Sequence, residues 1–212
     1  MMIAVLTGDL VNSTKMSKQT YASTIKALQD LLAEAAQAYR ASGAVYRGDE
    51  FQIQYPEPIF ALKSTLLIKL ALHLSSNSSK PIQCTLSLAY GDYNHLDEKP
   101  NTSSGPVFIR SGRGLTSAQR GELAVHFPTT IAEQQTRLLS QFLNHLLNRL
   151  TKSQAQLLYQ YIASDFAEHK KLAQITATTR QNISNRLANI GAFLVRDYMK
   201  FINQKVLQLT ET

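Results

Sequence analysis

Val45-Tyr46-Arg47-Gly48-Asp49-Glu50-Phe51-Gln52-Ile53-Gln54-Tyr55 is the stretch that decides the fold. Val45 to Arg47 and Phe51 to Tyr55 alternate apolar with polar, the period of a half-buried strand. Gly48, Asp49 and Glu50 between them suit a tight hairpin connection. Two carboxylates ~4 Å apart at a hairpin tip repel by roughly 4 kcal/mol at an effective dielectric near 20. Two arrangements relieve this. Either both side chains face water in a solvated turn, or a divalent cation sits between them. Mg²⁺ is content with one or two carboxylates and completes its shell with water and phosphate.

Met2-Ile3-Ala4-Val5-Leu6-Thr7 is a continuous apolar run and reads as a buried central strand. It ends in Gly8-Asp9-Leu10-Val11-Asn12-Ser13-Thr14, so Asp9 supplies a second carboxylate at the end of a strand. Residues 21–39 carry Ile25, Leu28, Leu31, Leu32 and Ala35 at helical spacing, with Gly43 as the expected helix stop. A second helix over 58–74 carries Leu62, Leu66, Ile68, Leu70 and Leu72, apolar on more than one face and therefore buried. Residues 82–90 alternate Ile82, Cys84, Leu86 and Leu88 on one side, a fourth strand. The order is βαββαβ, a ferredoxin-like α+β domain with two helices on one face of the sheet. Residues 91–105 are polar and nearly free of large apolar side chains, the composition of a mobile surface loop. A third helix begins at Gly105-Pro106-Val107-Phe108-Ile109-Arg110-Ser111-Gly112-Arg113.

The 212 residues suit one large or two small domains, and 44% hydrophobic with 17% charged residues fits an ordinary folded protein. The apolar runs read as shorter than the ~20 residues of a membrane span, and no basic segment precedes an apolar core at the N-terminus. The single cysteine, Cys84, has no internal partner. A buried thiol in a reducing cytoplasm is the expectation. Ser75-Ser76-Asn77-Ser78-Ser79 is the one low-complexity stretch and reads as a loop.

The net charge of +7 is unevenly placed, since residues 131–212 hold 10 Lys and Arg against 5 Asp and Glu. That excess attracts a polyanion. The same part begins with an amphipathic helix over 130–150. Its stripe of Ile131, Leu138, Leu139, Phe142, Leu143, Leu146, Leu147 and Leu150 is wide enough to pack on two neighbours within the chain, or to form a homodimer. Thr151 then caps a helix running through Leu157, Leu158, Tyr161 and Ile162. Residues 170–175 form a short helix with Leu172, Ala173 and Ile175 inward, 176–179 a turn, and Arg180 opens a longer helix. Ile183 and Leu187 face inward, which leaves Arg180, Gln181, Ser184 and Asn185 outward. A helical hairpin with a solvated polar face fits this pattern, and so does a helix-turn-helix. The local charge and the Thr-Thr-Arg-Gln-Asn opening favour the second. Arg, Gln and Asn pair bidentately with guanine and adenine edges in the major groove of double-stranded DNA, and a recognition helix presents them from its N-terminal turns.

The Asp9 strand and the Gly48-Asp49-Glu50-Phe51 hairpin together resemble the palm-type catalytic domain of class III nucleotide cyclases and, more loosely, diguanylate cyclases. That resemblance implies that Asp9 and Asp49, with Glu50 as an alternate, hold Mg²⁺ or Mn²⁺ against a nucleotide. It also makes Asn12, Ser13, Thr14 and Arg113 candidate ligand-binding residues. Cyclases carry an Asn four residues after the Gly that opens the third helix, an Arg eight residues after it, and a Lys four residues before the hairpin Asp. Arg113 matches the Arg, but Ile109 and Val45 occupy the other two positions. Losing groups that stabilise transition-state charge costs orders of magnitude in rate, so cyclisation is not expected. Residues 150–190 look like the helix-turn-helix of sigma-factor region 4.

Taken whole, the chain resembles the SatD family of bacterial proteins. The resemblance implies a DNA-binding transcriptional regulator in the cytoplasm, with a palm-like domain over 1–129 and a linker helix and helix-turn-helix over 130–212. It implies no membrane partner and no established reaction. A Mg²⁺-dependent enzyme acting on a nucleoside triphosphate remains the alternative.

Overall fold

The computed structural model describes residues 1–46, 48–75 and 81–211, without the side chains at positions 131 and 132. Arg47 of the hairpin, residues 76–79 of the Ser-rich run and the Ile131 side chain therefore lie outside the described residues.

The chain is α+β, with a five-stranded sheet in the order β2-β3-β1-β4-β5. The strands are β1 (Met2–Leu10), β2 (Ser42–Tyr46), β3 (Glu50–Tyr55), β4 (Cys84–Asp92) and β5 (Leu123–His126). Helix α1 (Lys18–Tyr39) joins β1 to β2, and α2 (Ala61–Ser75) joins β3 to β4. The first four strands pair antiparallel with β1 between β3 and β4, which is the expected split βαββαβ arrangement. The fifth strand was not anticipated. It pairs parallel to β4 and is four residues long, too short for its alternation to stand out.

Strand parity sorts the core. Ala4, Leu6 and Leu10 of β1 join Phe51, Ile53, Leu86 and Leu88 beneath Leu28, Leu32, Leu62 and Leu66 of α1 and α2. Full burial of each such side chain stabilises the fold by roughly 1.5–3 kcal/mol. On the other face Ile3, Val5 and Ala89 meet Val107 of α3 (Pro106–Ser117). That cover explains a departure in β4, which runs over Cys84–Asp92 rather than 82–90 and is buried on both faces up to Gly91. Gly105 opens α3 at φ 143°, where a side chain would collide with the backbone of Tyr93 and Asn94. Helix α1 begins at Lys18, capped by Ser17, whose hydroxyl accepts from the Thr20 amide. It stops at Arg40 in the left-handed conformation, not at Gly43, which lies in β2 opposite Ile53.

Residues 93–104 are a strap rather than a free loop. Ser104 exchanges backbone hydrogen bonds with His95, the Gln54 amide donates to Asp97 O at 2.6 Å, and the Ser42 hydroxyl donates to Glu98 O. Tyr93 and Leu96 pack on the Ile3–Val107 cluster. Polar composition predicted mobility. The polar groups instead bond to one another and to the sheet.

Helices α4 (Thr130–Leu147), α5 (Lys152–Ala163), α6 (His169–Ile175), α7 (Arg180–Asn189) and α8 (Ala192–Thr210) complete the chain. Their buried side chains are continuous with the core beneath the sheet. Helix α5 packs on α2, so α2 is enclosed between sheet and helices. The stretch Pro58–Ser75 has a mean hydropathy of 1.3 over 18 residues, long and apolar enough on length and composition to cross a membrane, contrary to the shorter runs expected. Here it is a core helix carrying Leu62, Leu66, Ile68, Leu70 and Leu72 inward. Lys69 within it is buried and donates to Gly121 O at 2.7 Å; burial pushes its pKa down. Cys84 is a free, buried thiol.

Helix α4 closes the sheet edge through Asn144. Its side-chain oxygen accepts from the Leu123 amide at 2.8 Å and its nitrogen donates to Leu123 O at 2.9 Å, as a further strand would. Glu133 ties the start of α4 to the end of β5, accepting from the Phe127 amide at 2.7 Å and bonding His126 Nδ1 at 2.6 Å. Burial pushes the Glu133 pKa up, but the hydrogen bonds from His126 and the Phe127 amide outweigh it, and the net shift is down. The apolar stripe of α4 is only partly used. Leu143, Leu147 and Leu150 are buried, whereas Leu138, Leu139 and Phe142 are exposed, with none of the described residues covering them.

Candidate functional site

The first candidate site is the end of the sheet where β1 leaves it. Strand β1 continues to Leu10, so Asp9 lies within the strand and not beyond it. Its register partner is Glu50, which begins β3 rather than sitting in the hairpin connection. Direct partners on antiparallel strands present their side chains on one face. Two residues back along the same strands, Gln52 donates to Thr7 Oγ1 at 3.0 Å, and Thr7 meets Ser111 of α3 at 2.7 Å. Asp9 and Glu50 therefore share the α3 face of the sheet. Asp49 stands beside them. Its backbone oxygen accepts from the Leu10 amide at 3.4 Å, and its carboxylate accepts from the Ser13 hydroxyl. The three predicted carboxylates are brought together.

The electrostatics are those of crowded like charges. Burial pushes the Asp9 pKa up, the carboxylates of Asp49 and Glu50 push it further, and Arg120 and a hydrogen bond from the Leu10 amide pull it back. Tyr46 is raised as well, by burial and then by Glu50, and its buried hydroxyl has no partner among the described residues. Gly48 turns the hairpin at φ 87°, with Tyr21 Oη against the place a side chain would occupy. Among the described residues no group of three or more His, Cys, Asp or Glu is arranged to hold a metal ion by itself. A cation here must bring part of its own shell.

The ligand-binding candidates divide. Ser13 is at the site through Asp49, and Asn12, in the left-handed conformation at φ 61°, accepts from Arg120 Nη2 at 2.8 Å. Thr14 is exposed in the short helical turn Ser13–Lys15. Arg113 is elsewhere. It lines a cleft between α3 and β5 with Arg110, Gly114, Ser117 and His126. Among the described residues the cation that acts on Asp9 is Arg120, which sequence reasoning missed because it lies in an unpatterned turn after α3. Ile109 is 54% exposed on α3, and Val45 is half-buried in β2.

The second candidate site is the outer face of α7. Thr179 caps the helix, its hydroxyl accepting from the Asn182 amide at 3.1 Å. Ile183 and Leu187 are fully buried. Arg180, Gln181 and Asn185 are exposed and Ser184 half-buried, as the helical period predicts, and Gln181 donates to Asn185 at 3.3 Å. Helix α5 beneath them carries a full capping box between Thr151 and Gln154. In α6, Leu172 and Ala173 are buried but Ile175 is 56% exposed, against expectation. That helix ends at Ile175, and the turn that follows, with Ala177 at φ 49°, carries the chain away from the core.

No family model matches the chain, and no curated protein matches it. Solved structures similar to it are nucleotide cyclase domains. The guanylyl cyclase Cya2 is 13% identical over 59% of this chain and 74% of that one, with a TM-score of 0.46. The monomeric guanylyl cyclase domain of the RhoGC fusion protein from the aquatic fungus Blastocladiella emersonii is 14% identical over 58% of this chain and 80% of that one, with a TM-score of 0.48. The adenylyl cyclase CyaB from P. aeruginosa is 11% identical over 58% of this chain and 76% of that one, with a TM-score of 0.46.

Proposed function

We propose that this chain is a cytoplasmic DNA-binding regulator, in which α6, its turn and α7 form a helix-turn-helix and the sheet end senses a metal-bound nucleotide. Residues 1–129 form the sensing domain and 130–212 the linker helix and reading domain. One observation carries this reading. Helix α7 is anchored by fully buried Ile183 and Leu187 while its N-terminal turns present Arg180, Gln181, Ser184 and Asn185 outward. These are side chains suited to base edges and phosphates. The 10 Lys and Arg against 5 Asp and Glu over 131–212 supply the electrostatic attraction. The likeness of the sequence to the SatD family points the same way.

At the sheet end, Asp9, Asp49 and Glu50 would hold Mg²⁺ or Mn²⁺. One or two of these carboxylates would fit a hard cation that retains water and takes the remaining oxygens from phosphate. A bound cation supplies the positive charge that the crowded carboxylates lack. A cation there would offset the burial and the like charges that push the Asp9 pKa up. The same crowding is the observation in favour of a second reading, a Mg²⁺-dependent enzyme acting on a nucleoside triphosphate. Exposed Ile109 and half-buried Val45 stand against cyclisation, because neither stabilises charge on a reacting triphosphate.

The test is a mobility shift on promoter fragments from the protein's own locus, wild type against Arg180→Ala. The wild type shifts the fragment and the variant is weaker by about 1–3 kcal/mol if Arg180 pairs with a guanine. Equal binding by both, or binding by neither, ends the regulator reading. Turnover of ATP or GTP with Mg²⁺ or Mn²⁺ moves the assignment to the enzyme.

A further inference from the structure

Helices α4 and α8 pack side by side and leave an apolar groove of about 400 Å³, walled by Leu139, Phe142 and Leu146 from one and Leu194, Tyr198 and Phe201 from the other. Phe142 and Leu194, each 68% exposed, stand proud of it, with Leu138 beside them at 56%. Single exposed apolar residues need no explanation, but a contiguous cluster around a groove marks an interaction surface.

We infer that this surface is the interface of a two-fold dimer, its occupant a second copy of this chain. Three observations choose that occupant. The patch carries projections and a recess together, so in a two-fold pair Phe142 and Leu194 of each copy enter the groove of the other, as an isologous contact requires. On its α4 side it is also free of the charge that makes this chain repel its own kind. The net charge is +7, yet residues 138–148 contain no Asp, Glu, Lys or Arg. Asp197 at the groove edge already accepts from Arg196 Nε of its own chain at 3.2 Å. The area is in range as well. The exposed portions of Leu138, Leu139, Phe142 and Leu194 amount to roughly 400 Å², a fully apolar centre for the ~800 Å² that each partner contributes to a standard interface. Tyr198 is held in the groove wall by Ser140 of the facing helix, hydroxyl to hydroxyl at 2.7 Å, so the recess is fixed before a partner arrives.

A consequence for DNA rests on the proposed reading of α7. The groove adjoins the C-terminal end of that helix, because Gly191, which links α7 to α8, sits against Leu146. Arg180 opens that helix at its other end. A dimer closed at the groove would bring two copies of α7 to one DNA, as two-fold readers of paired half-sites do.

Sedimentation of the full chain in the absence of DNA, from micromolar to near-millimolar concentration, tests the dimer apart from the regulator reading. The expected result is a reversible dimer. Phe142→Glu and Leu194→Glu should each weaken it by about 30-fold or more, as truncating a central interface residue does. Both positions are mostly exposed, so the variants should keep wild-type helical circular dichroism. Ile109→Glu, at an exposed apolar position on α3, should leave self-association unchanged. A chain that stays monomeric throughout would overturn the inference and leave the groove to a different protein. So would a dimer that Ile109→Glu weakens and Phe142→Glu does not.

Discussion

The sheet end and the outer face of α7 present opposite charge and are built differently. At the first, the register of β1 against β3 sets Asp9 beside Glu50 and the turn adds Asp49; on α7 the helical period locks apolar positions in the core and leaves the polar ones outward. At the sheet end the result is Asp9, Asp49 and Glu50 crowded together, with the pKa of Asp9 raised. On α7 it is Arg180, Gln181, Ser184 and Asn185 over Ile183 and Leu187. If the sheet end takes a metal-bound ligand and α7 reads DNA, as proposed, the two sites are separable by mutation.

The largest expected effect breaks the α7 side at its root. Leu187→Ala should lower stability by about 2–5 kcal/mol, read as a lower urea midpoint at unchanged slope, because Leu187 is fully buried. Glu133→Gln comes next and tests the join between β5 and α4. The folded pKa of Glu133 lies below its ordinary 4.5, so its contribution is present above that value and is lost as pH falls through the folded pKa. The variant should be less stable at neutral pH by roughly 1–2 kcal/mol, at the low end given its partial exposure, and should converge with wild type in acid. Thermal melts at several pH values check this.

Mg²⁺ probes the sheet end. At ten times its Kd a cation that binds only the folded chain stabilises it by about 1.4 kcal/mol. Melting with and without Mg²⁺ should show that gain in wild type and not in Asp9→Asn. The smallest effect is that of Asp9→Asn without metal. The folded pKa of Asp9 is raised above 3.8, so its ionised form costs stability at neutral pH, and the cost vanishes below 3.8 where both states are protonated. The variant should melt slightly higher at neutral pH, by under ~1 kcal/mol in free energy because the site is partly exposed to solvent.

Much of this was legible in sequence because periodicity reports burial directly. The alternation of Phe51, Ile53 and Tyr55 and the i, i+4 pair Ile183 and Leu187 match the burial in the structure, and Asp9 meets both Asp49, its expected partner, and Glu50, the alternate. What escaped depended on partners far along the chain. Strand β5 is four residues and visible only through its pairing with β4. The strap over 93–104 takes its order from Gln54 and Ser42, which composition cannot reveal. Arg120 reaches the acid site from a turn with no pattern of its own, while Arg113, placed by resemblance, faces a different cleft. Helix α4 shows the converse. Its stripe predicted more burial than the chain delivers, since amphipathicity measures what a helix can cover and not what covers it.

The most direct test of two separable sites is the DNA affinity of wild type, Arg180→Ala and Asp9→Asn, measured by fluorescence anisotropy at two salt concentrations without added metal. Wild-type affinity should fall steeply with salt, with a slope of about −0.9 per neutralised phosphate. Arg180→Ala should bind more weakly at both concentrations, and Asp9→Asn should bind as wild type does. Equal affinity for wild type and Arg180→Ala, or a loss confined to Asp9→Asn, would contradict the account.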